Sequence, residues 1–268
     1  MKPRVQIITT AYNCPQGLGR MVDSAFTTYG NVFVKVFLHS RIPAVVAKLA
    51  YLQAYLKDIA VLPYGENRGL AKSWNEGLCS SPSAADVTII CNDDIWFTDG
   101  DIEKIAKASL SAAPDIGFIT TAGWHEGHKS TVGDHGFSCV AIQPVALRVV
   151  GALDENFFPA YNEDTDYALR CKRAGLIQLI LPDTNVGHLG STAITASARL
   201  SKQNDITHRI NDKYWRLKWG CDEDWTDWPN AHKHPFKDPS CHPYFIDFDQ
   251  RSKPYPEHNR TDFGVVQI

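Results

Sequence analysis

The sequence has little that would tie it to a membrane, a disulfide framework or a nucleic acid. No apolar run reaches the roughly 18 residues needed to span a bilayer, because Lys48, Gln143 and Arg148 interrupt the best candidates. The opening MKPRVQIITT has no apolar stretch of signal length followed by a small-residue cleavage site, so a cytoplasmic protein is expected. The 7 cysteines are an odd number and form no CxxC pair, which argues against a disulfide framework and a cysteine zinc site; they read as reduced core residues. A formal net charge of -3 leaves no basic surplus for gripping phosphates, although a local patch can hide inside a neutral total. What remains is a chain of 268 residues, 44% hydrophobic and 21% charged, suited to one large core or two closely joined small ones.

Strand and helix signals alternate from the start. RVQIITT reads as a strand, QGLGRMVDSAFTTYG as a helix ending at Gly30, and NVFVKVFLH as a second strand. IPAVVAKLAYLQAYL has helical spacing, DIAVLPY is a short strand, and GLAKSWNEGLCSS is a helix leading to the strand ADVTIIC. This βαβ order predicts an α/β fold with a mostly parallel sheet and helices on both faces. The second half continues with the helix GDIEKIAKASLSAA, the strand IGFITTA, the strand FSCVAIQ and the short helix PVALRVVG. YNEDTDYALRCKRAGL is a helix with acids in its first turn and basic residues near its end, in agreement with the macrodipole. LIQLILP and the segment NVGHLGST follow. GWHEGHKSTVGDHG, with 4 glycines, 3 histidines and no periodicity, is read as a loop. Its His125, His128 and His135 are too irregularly spaced for a zinc set.

CNDDIWF, residues 91–97, places Asp93 and Asp94 side by side at the end of a buried strand. Adjacent carboxylates repel, and burial raises their pKa values unless a cation or strong donors compensate, so something positive is expected nearby. In open α/β sheets ligands bind beyond the carboxyl ends of the strands, which is where this pair falls. Capping of the following turn is the structural alternative. Glu163, Asp164 and Asp166 open a helix, and His188 follows a strand-like run before small residues; helix-start acids and an ordinary surface histidine are the alternatives there.

The ordered set ITTAYN, ENRGLAKSWNEGL, CNDDIWF, FFPAYNEDTDYALRCKRAGL and GHLGST resembles the inverting glycosyltransferases of family 2, over about residues 4 to 195. The resemblance implies the GT-A fold: a Rossmann-like, mostly parallel sheet with a nucleotide-binding half (about 1–100) and a smaller acceptor-side half (about 101–218), followed by an irregular extension over 219–268. It implies transfer of a sugar from a nucleotide-sugar to a hydroxyl acceptor, with Mn2+ or Mg2+ as cofactor. By the family's DxD position, Asp94 is expected to hold the metal, with Asp93 on the ribose or the hydrated metal. The family's histidine after the Glu-Asp helix completes the metal shell, and His188 stands at that place. Asp164 is implied as the base, with Glu163 positioning the acceptor or orienting the base.

The same resemblance puts Thr10 and Tyr12 in the base pocket and Asn67 and Lys72 near the base or diphosphate. His39 stands where the family commonly carries a base-reading aspartate; UDP or dTDP are the expected carriers. Trp124 is a candidate for stacking on a sugar from the glycine-rich loop, and Asp166 a further acceptor-side candidate. No QxxRW-like signature of processive relatives is present, which favours a single transfer. The compact length also resembles enzymes of large viruses and phages, and the acceptor is left open among glycan, protein, lipid and nucleic acid. The other readings are a sugar-1-phosphate nucleotidyltransferase, against which TAYNCPQGLGR is a poor glycine-rich loop, and a non-catalytic carbohydrate-binding module.

Overall fold

A computed structural model describes residues 2–80, 85–125, 128–130, 137–190 and 197–221, without the side chains of 123–130. The strands are β1 Val5–Ala11, β2 Val32–Leu38, β3 Ile59–Pro63, β4 Val87–Cys91, β5 Ile95–Trp96, β6 Ile116–His125, β7 His128–Ser130, β8 Cys139–Ile142 and β9 Ile177–His188. The helices are α1 Pro15–Thr28, α2 Pro43–Tyr55, α3 Leu70–Cys79, α4 Asp101–Leu110, α5 Pro144–Val149, α6 Glu163–Arg173 and α7 Ala198–Trp219.

The strands join in one sheet of order β3-β2-β1-β4-β8-β6-β9-β5, with β7 added on β6. The first four strands are parallel, as the βαβ reading expects, and β6 runs parallel to β9. The second half adds antiparallel partners, β8 against both β4 and β6 and β5 against β9. Strands buried on both faces need continuous β-branched runs, and VQIITTA and VTIIC supply them. Neighbouring residues of β1 then face opposite layers. Ile7 packs with Leu18 and Met21 of α1, Leu49 of α2 and Ile105 of α4. Ile8 packs with Trp74 and Leu78 of α3, Ala146 of α5 and Tyr167 of α6.

Three differences from the sequence reading matter. The stretch read as a loop is partly a hairpin: β6 continues to His125 and pairs with β7 through Trp124 and Lys129. β9 runs on through Asp183–Gly187 to His188 instead of stopping at Pro182. Third, a helix of 22 residues, α7, occupies a stretch to which no element was assigned. It is capped by Ser197, whose side chain accepts from Leu200 N–H, and ends at Gly220 in the left-handed region. Its aromatic end packs Tyr214, Trp215 and Trp219 on Phe157 and Leu169. His135 and residues 222–268, nearly all of the expected extension, lie outside the described residues. Among the described residues no helix is long and apolar enough to cross a membrane.

Candidate active site

Parallel register brings the strand ends together. Ala11 pairs with Leu38, Leu38 with Pro63 and Thr9 with Cys91, so Tyr12, His39 and Asp93 emerge along one edge. The His39 N–H donates to Ala11 O at 2.9 Å, tying two of these ends. His188 reaches the same edge from the far side of the sheet, because β5 turns back beside β9 with Ile95 opposite His188. Leu189 N–H donates to Asp94 O at 3.0 Å, and His188 Nε2 stands 3.0 Å from Asp94 Oδ1. Two glycines permit this closeness. A Cβ on Gly17 would sit 3.0 Å from Asp93 O and Asp94 Cα, and one on Gly187 would enter the Trp96 ring at 2.0 Å.

The Glu163–Asp164 pair is delivered by a left-handed turn. Tyr161 and Asn162 have φ of 81° and 71°, a conformation that costs non-glycine residues energy unless their surroundings hold it. α7 supplies the hold. Asn211 Nδ2 donates to Ala160 O at 2.7 Å and Tyr161 O at 3.1 Å, and Asn162 Nδ2 donates to Asp212 Oδ1 at 2.7 Å.

A pocket of about 400 Å³ gathers Thr10, Tyr12, His39, Asn67, Asp93, Asp94, Glu163, Asp164 and His188 from these separate elements. Sequence reasoning missed its other lining residues, among them Trp74, Phe137 and the α7 residues Leu200, Gln203, Asn204 and Thr207. A helix there was legible from the capping Ser197 and the run free of glycine and proline up to Gly220. Two expected residues do not line the pocket. Lys72 places Nζ 3.9 Å from Glu155. Asp166 is fully buried elsewhere, 2.7 Å from Lys218 Nζ and 2.8 Å from Arg170 Nε, and accepts from Trp219 Nε1 at 2.9 Å. The acceptor-side expectation for Asp166 is thereby corrected: its carboxylate is consumed by internal partners. The side chain expected to stack, Trp124, lies outside the described residues.

The pocket is acidic and its acids are strained electrostatically. Burial, followed by the Asp94 carboxylate, pushes Asp93 up to about 8, with the Tyr12 backbone N–H opposing. Burial and then Asp164 push Glu163 well above the ordinary carboxylate range. Burial raises Asp164 too, against hydrogen bonds from the Thr165 and Phe137 backbone. Burial also holds His39 down to about 4, assisted by Arg68, so it is neutral at pH 7. Its Nε2 lies 2.7 Å from Ser73 Oγ.

No three His, Cys, Asp or Glu side chains stand grouped as a metal cage among the described residues. Asp94 and His188 nevertheless offer one carboxylate oxygen and one imidazole nitrogen side by side in an acidic pocket. That donor pair fits a divalent cation whose remaining positions come from a ligand and water.

Residues 6–132 match the family model described as glycosyl transferase family 2, so the family resemblance read from the sequence is shown over that stretch. The match includes Asp93 and Asp94 and ends before Glu163, Asp164 and His188. Among solved structures the fold is similar to a mannosyltransferase from Pyrobaculum calidifontis in complex with GDP-Man and Mn2+, at 16% identity and a TM-score of 0.59 over 81% of this chain. The chain spans 65% of that structure's length. It is also similar to residues 1–349 of TarS from S. aureus, at 9% identity and a TM-score of 0.54, covering 85% of this chain and 77% of that one. These likenesses show the GT-A type of fold. No curated protein sequence matches the chain.

Proposed function

We propose that this chain, matching glycosyl transferase family 2 over residues 6–132, moves a single sugar from a UDP- or dTDP-type nucleotide-sugar to a hydroxyl acceptor, with inversion and with Mn2+ or Mg2+. One observation carries the reading. Four carboxyls from two distant segments converge on one pocket at the strand ends, and no lysine or arginine lines it among the described residues. A nucleoside diphosphate adds more negative charge to that pocket, so it enters favourably only with a cation. Asp94 and His188 would hold that ion, and imidazole with carboxylate suits Mn2+ somewhat better than Mg2+. When bound, it would neutralise diphosphate oxygens and stabilise the departing nucleotide.

The chain's own groups do the rest. Tyr12, Thr10, Asn67 and His39 form the nucleotide end, with Asp93 toward the ribose or the hydrated ion. Asp164 takes the proton of the acceptor hydroxyl as that oxygen attacks the anomeric carbon, and the bond from that carbon to the diphosphate oxygen breaks. A carboxylate whose pKa is raised is a stronger base, which suits this role. Glu163 positions the acceptor or orients the base.

The domain arrangement follows the same reading, with residues 1–218 as the transferase domain, 219–268 as an extension, and a cytoplasmic setting. A nucleotidyltransferase would use a basic group against the attacking phosphate, which the described lining does not offer. A carbohydrate-binding module has no need of a strained acid pair. The test is incubation of the protein with a panel of sugar nucleotides and Mn2+, following slow release of free nucleotide. Asp94→Ala should abolish both that release and the Mn2+-dependent binding of UDP seen by calorimetry. Unchanged Mn2+-UDP affinity in the variant would remove Asp94 as the metal residue.

A further inference from the structure

α7 carries one long stripe with two characters. Leu200, Gln203, Asn204 and Thr207, spaced as one helix face, line the pocket. About one to three turns beyond Thr207, Asn211, Tyr214, Trp215 and Lys218 are buried against the chain. The buried end fixes the pocket end. Asn211 and Asp212 bind the segment 160–162 directly before Glu163, so the wall is registered to the acid pair through a few hydrogen bonds.

Three polar atoms of the pocket lining are buried without a hydrogen-bond partner among the described residues: Gln203 Nε2, Trp74 Nε1 and Glu163 Oε2. Buried donors left unmade are costly, and those that line an open pocket are placed where a ligand's acceptors can complete them. Gln203 and Trp74 each offer an N–H, which calls for oxygen acceptors. The α7 wall and the adjoining Pro159, Ala160 and Tyr161 carry no charged side chain, and no lysine or arginine lines the pocket among the described residues to pair with an anion.

We propose that the Gln203–Asn204–Thr207 face of α7 is the acceptor-reading wall, taking a neutral sugar unit through its hydroxyl or acetamido oxygens, with Gln203 Nε2 donating to one of them. This rests on the glycosyl-transfer reading above and adds to it the acceptor's chemical class and the residue that selects it. The wall lies outside residues 6–132, the stretch that matches the family model.

The test uses the full chain with Mn2+ and whichever sugar nucleotide it hydrolyses, and adds as acceptor probes p-nitrophenyl glycosides of glucose, galactose and N-acetylglucosamine, with the glucuronide as the anionic probe. A neutral glycoside should accelerate nucleotide release, and the glucuronide should not. Gln203→Leu should then raise the KM for the effective glycoside roughly 3- to 10-fold, the worth of one neutral hydrogen bond, with a smaller effect on kcat. Gln203→Glu, of the same shape but without the N–H donor, should raise it as well, and thermal melts establish that both variants are folded. A KM equal to that of the unaltered protein in both folded variants, a preference for the glucuronide, or no acceleration by any neutral glycoside overturns the acceptor wall while leaving the donor reading intact. Failure to hydrolyse any sugar nucleotide overturns the donor reading, and the wall with it.

Discussion

Asp164 and Asp166 stand two residues apart on the first turn of α6 and live under opposite conditions. Asp166 is closed off with Lys218, Arg170 and Trp219, and its neighbour in that network, Asp154, lies 2.9 Å from the same Lys218 ammonium and accepts from Tyr214. Burial pushes the Asp154 carboxyl up, but Lys218 together with the Asn156 and Tyr214 donors holds it below its ordinary value. Asp164 shares its pocket with Glu163, Asp93 and Asp94, no lysine or arginine lines it among the described residues, and burial raises its pKa. A buried carboxylate whose charge is fully answered holds the fold, whereas one whose charge is left over marks where a cation or a proton is meant to arrive. Sequence alone cannot separate the two, since both acids read as favourable first-turn residues.

The hardest way to break the contrast is to remove the cation that answers the buried pair. Lys218→Met leaves Asp154 and Asp166 facing each other's surroundings without their shared ammonium, and removing one partner of a buried ion pair costs about 3–5 kcal/mol. Denaturant titration should show a loss of that order. The loss should begin at α7, so the hold on segment 160–162 weakens with it. A loss below 1 kcal/mol would show that Asp154 and Asp166 do not depend on Lys218, and the division into answered and unanswered acids would fail.

The next largest effect lies on the other acid. Asp164→Asn retains the shape and the bond accepted from Thr165 N–H at 2.7 Å but cannot take a proton. Turnover should fall roughly 100-fold or more, the range associated with loss of a general base, while donor affinity survives. The net change in stability should be small, because removing the disfavoured charge is offset by losing an acceptor for one of the backbone donors, Thr165 and Phe137. Near-normal turnover would exclude Asp164 as the base and move the role to Glu163.

How much of this was legible before the fold was known follows from the range of the interactions. β1 to β4 declare themselves through local β-branched runs, and the parallel register then places Tyr12, His39 and Asp93 together with no further information. The proximity of His188 to Asp94 was implied only by family resemblance, because its cause is the pairing of the two-residue strand β5 with β9 across 93 residues of chain, Ile95 to His188. α7 was missed for a different reason, although its end signals, Ser197 and Gly220, were legible. Its buried face mixes Asn211 and Lys218 with Tyr214 and Trp215, so the apolar periodicity that betrays α1 is broken by buried polar groups whose partners are remote in sequence. The assignment of Asp166 to the acceptor side failed on the same point, since Lys218 lies 52 positions away and nothing local announces the pair.

The smallest effect separates the two acid environments by sign. Glu163 has a folded pKa raised above its ordinary 4.5 by burial and by Asp164, so its stability contribution is fully present below about pH 4.5 and is lost as pH rises through the folded value. Glutamine imitates the protonated form. Glu163→Gln should therefore match the unaltered protein in melting temperature near pH 4.5 and exceed it increasingly toward neutral and alkaline pH. Asp154, with its pKa depressed below the ordinary 3.8, obeys the reverse rule: its contribution is present above 3.8 and is lost as pH falls through the lower folded value. Asp154→Asn should accordingly be less stable than the unaltered protein at neutral pH, with the gap closing only in strong acid. Melting both variants over pH 4 to 8 against the unaltered chain cancels titrations they share, such as that of buried His39, and leaves two difference curves of opposite sign. Curves of the same sign would mean that Glu163 is answered by a partner as Asp154 is, and the pocket would lose the unbalanced charge on which its reading as a cation-dependent site depends.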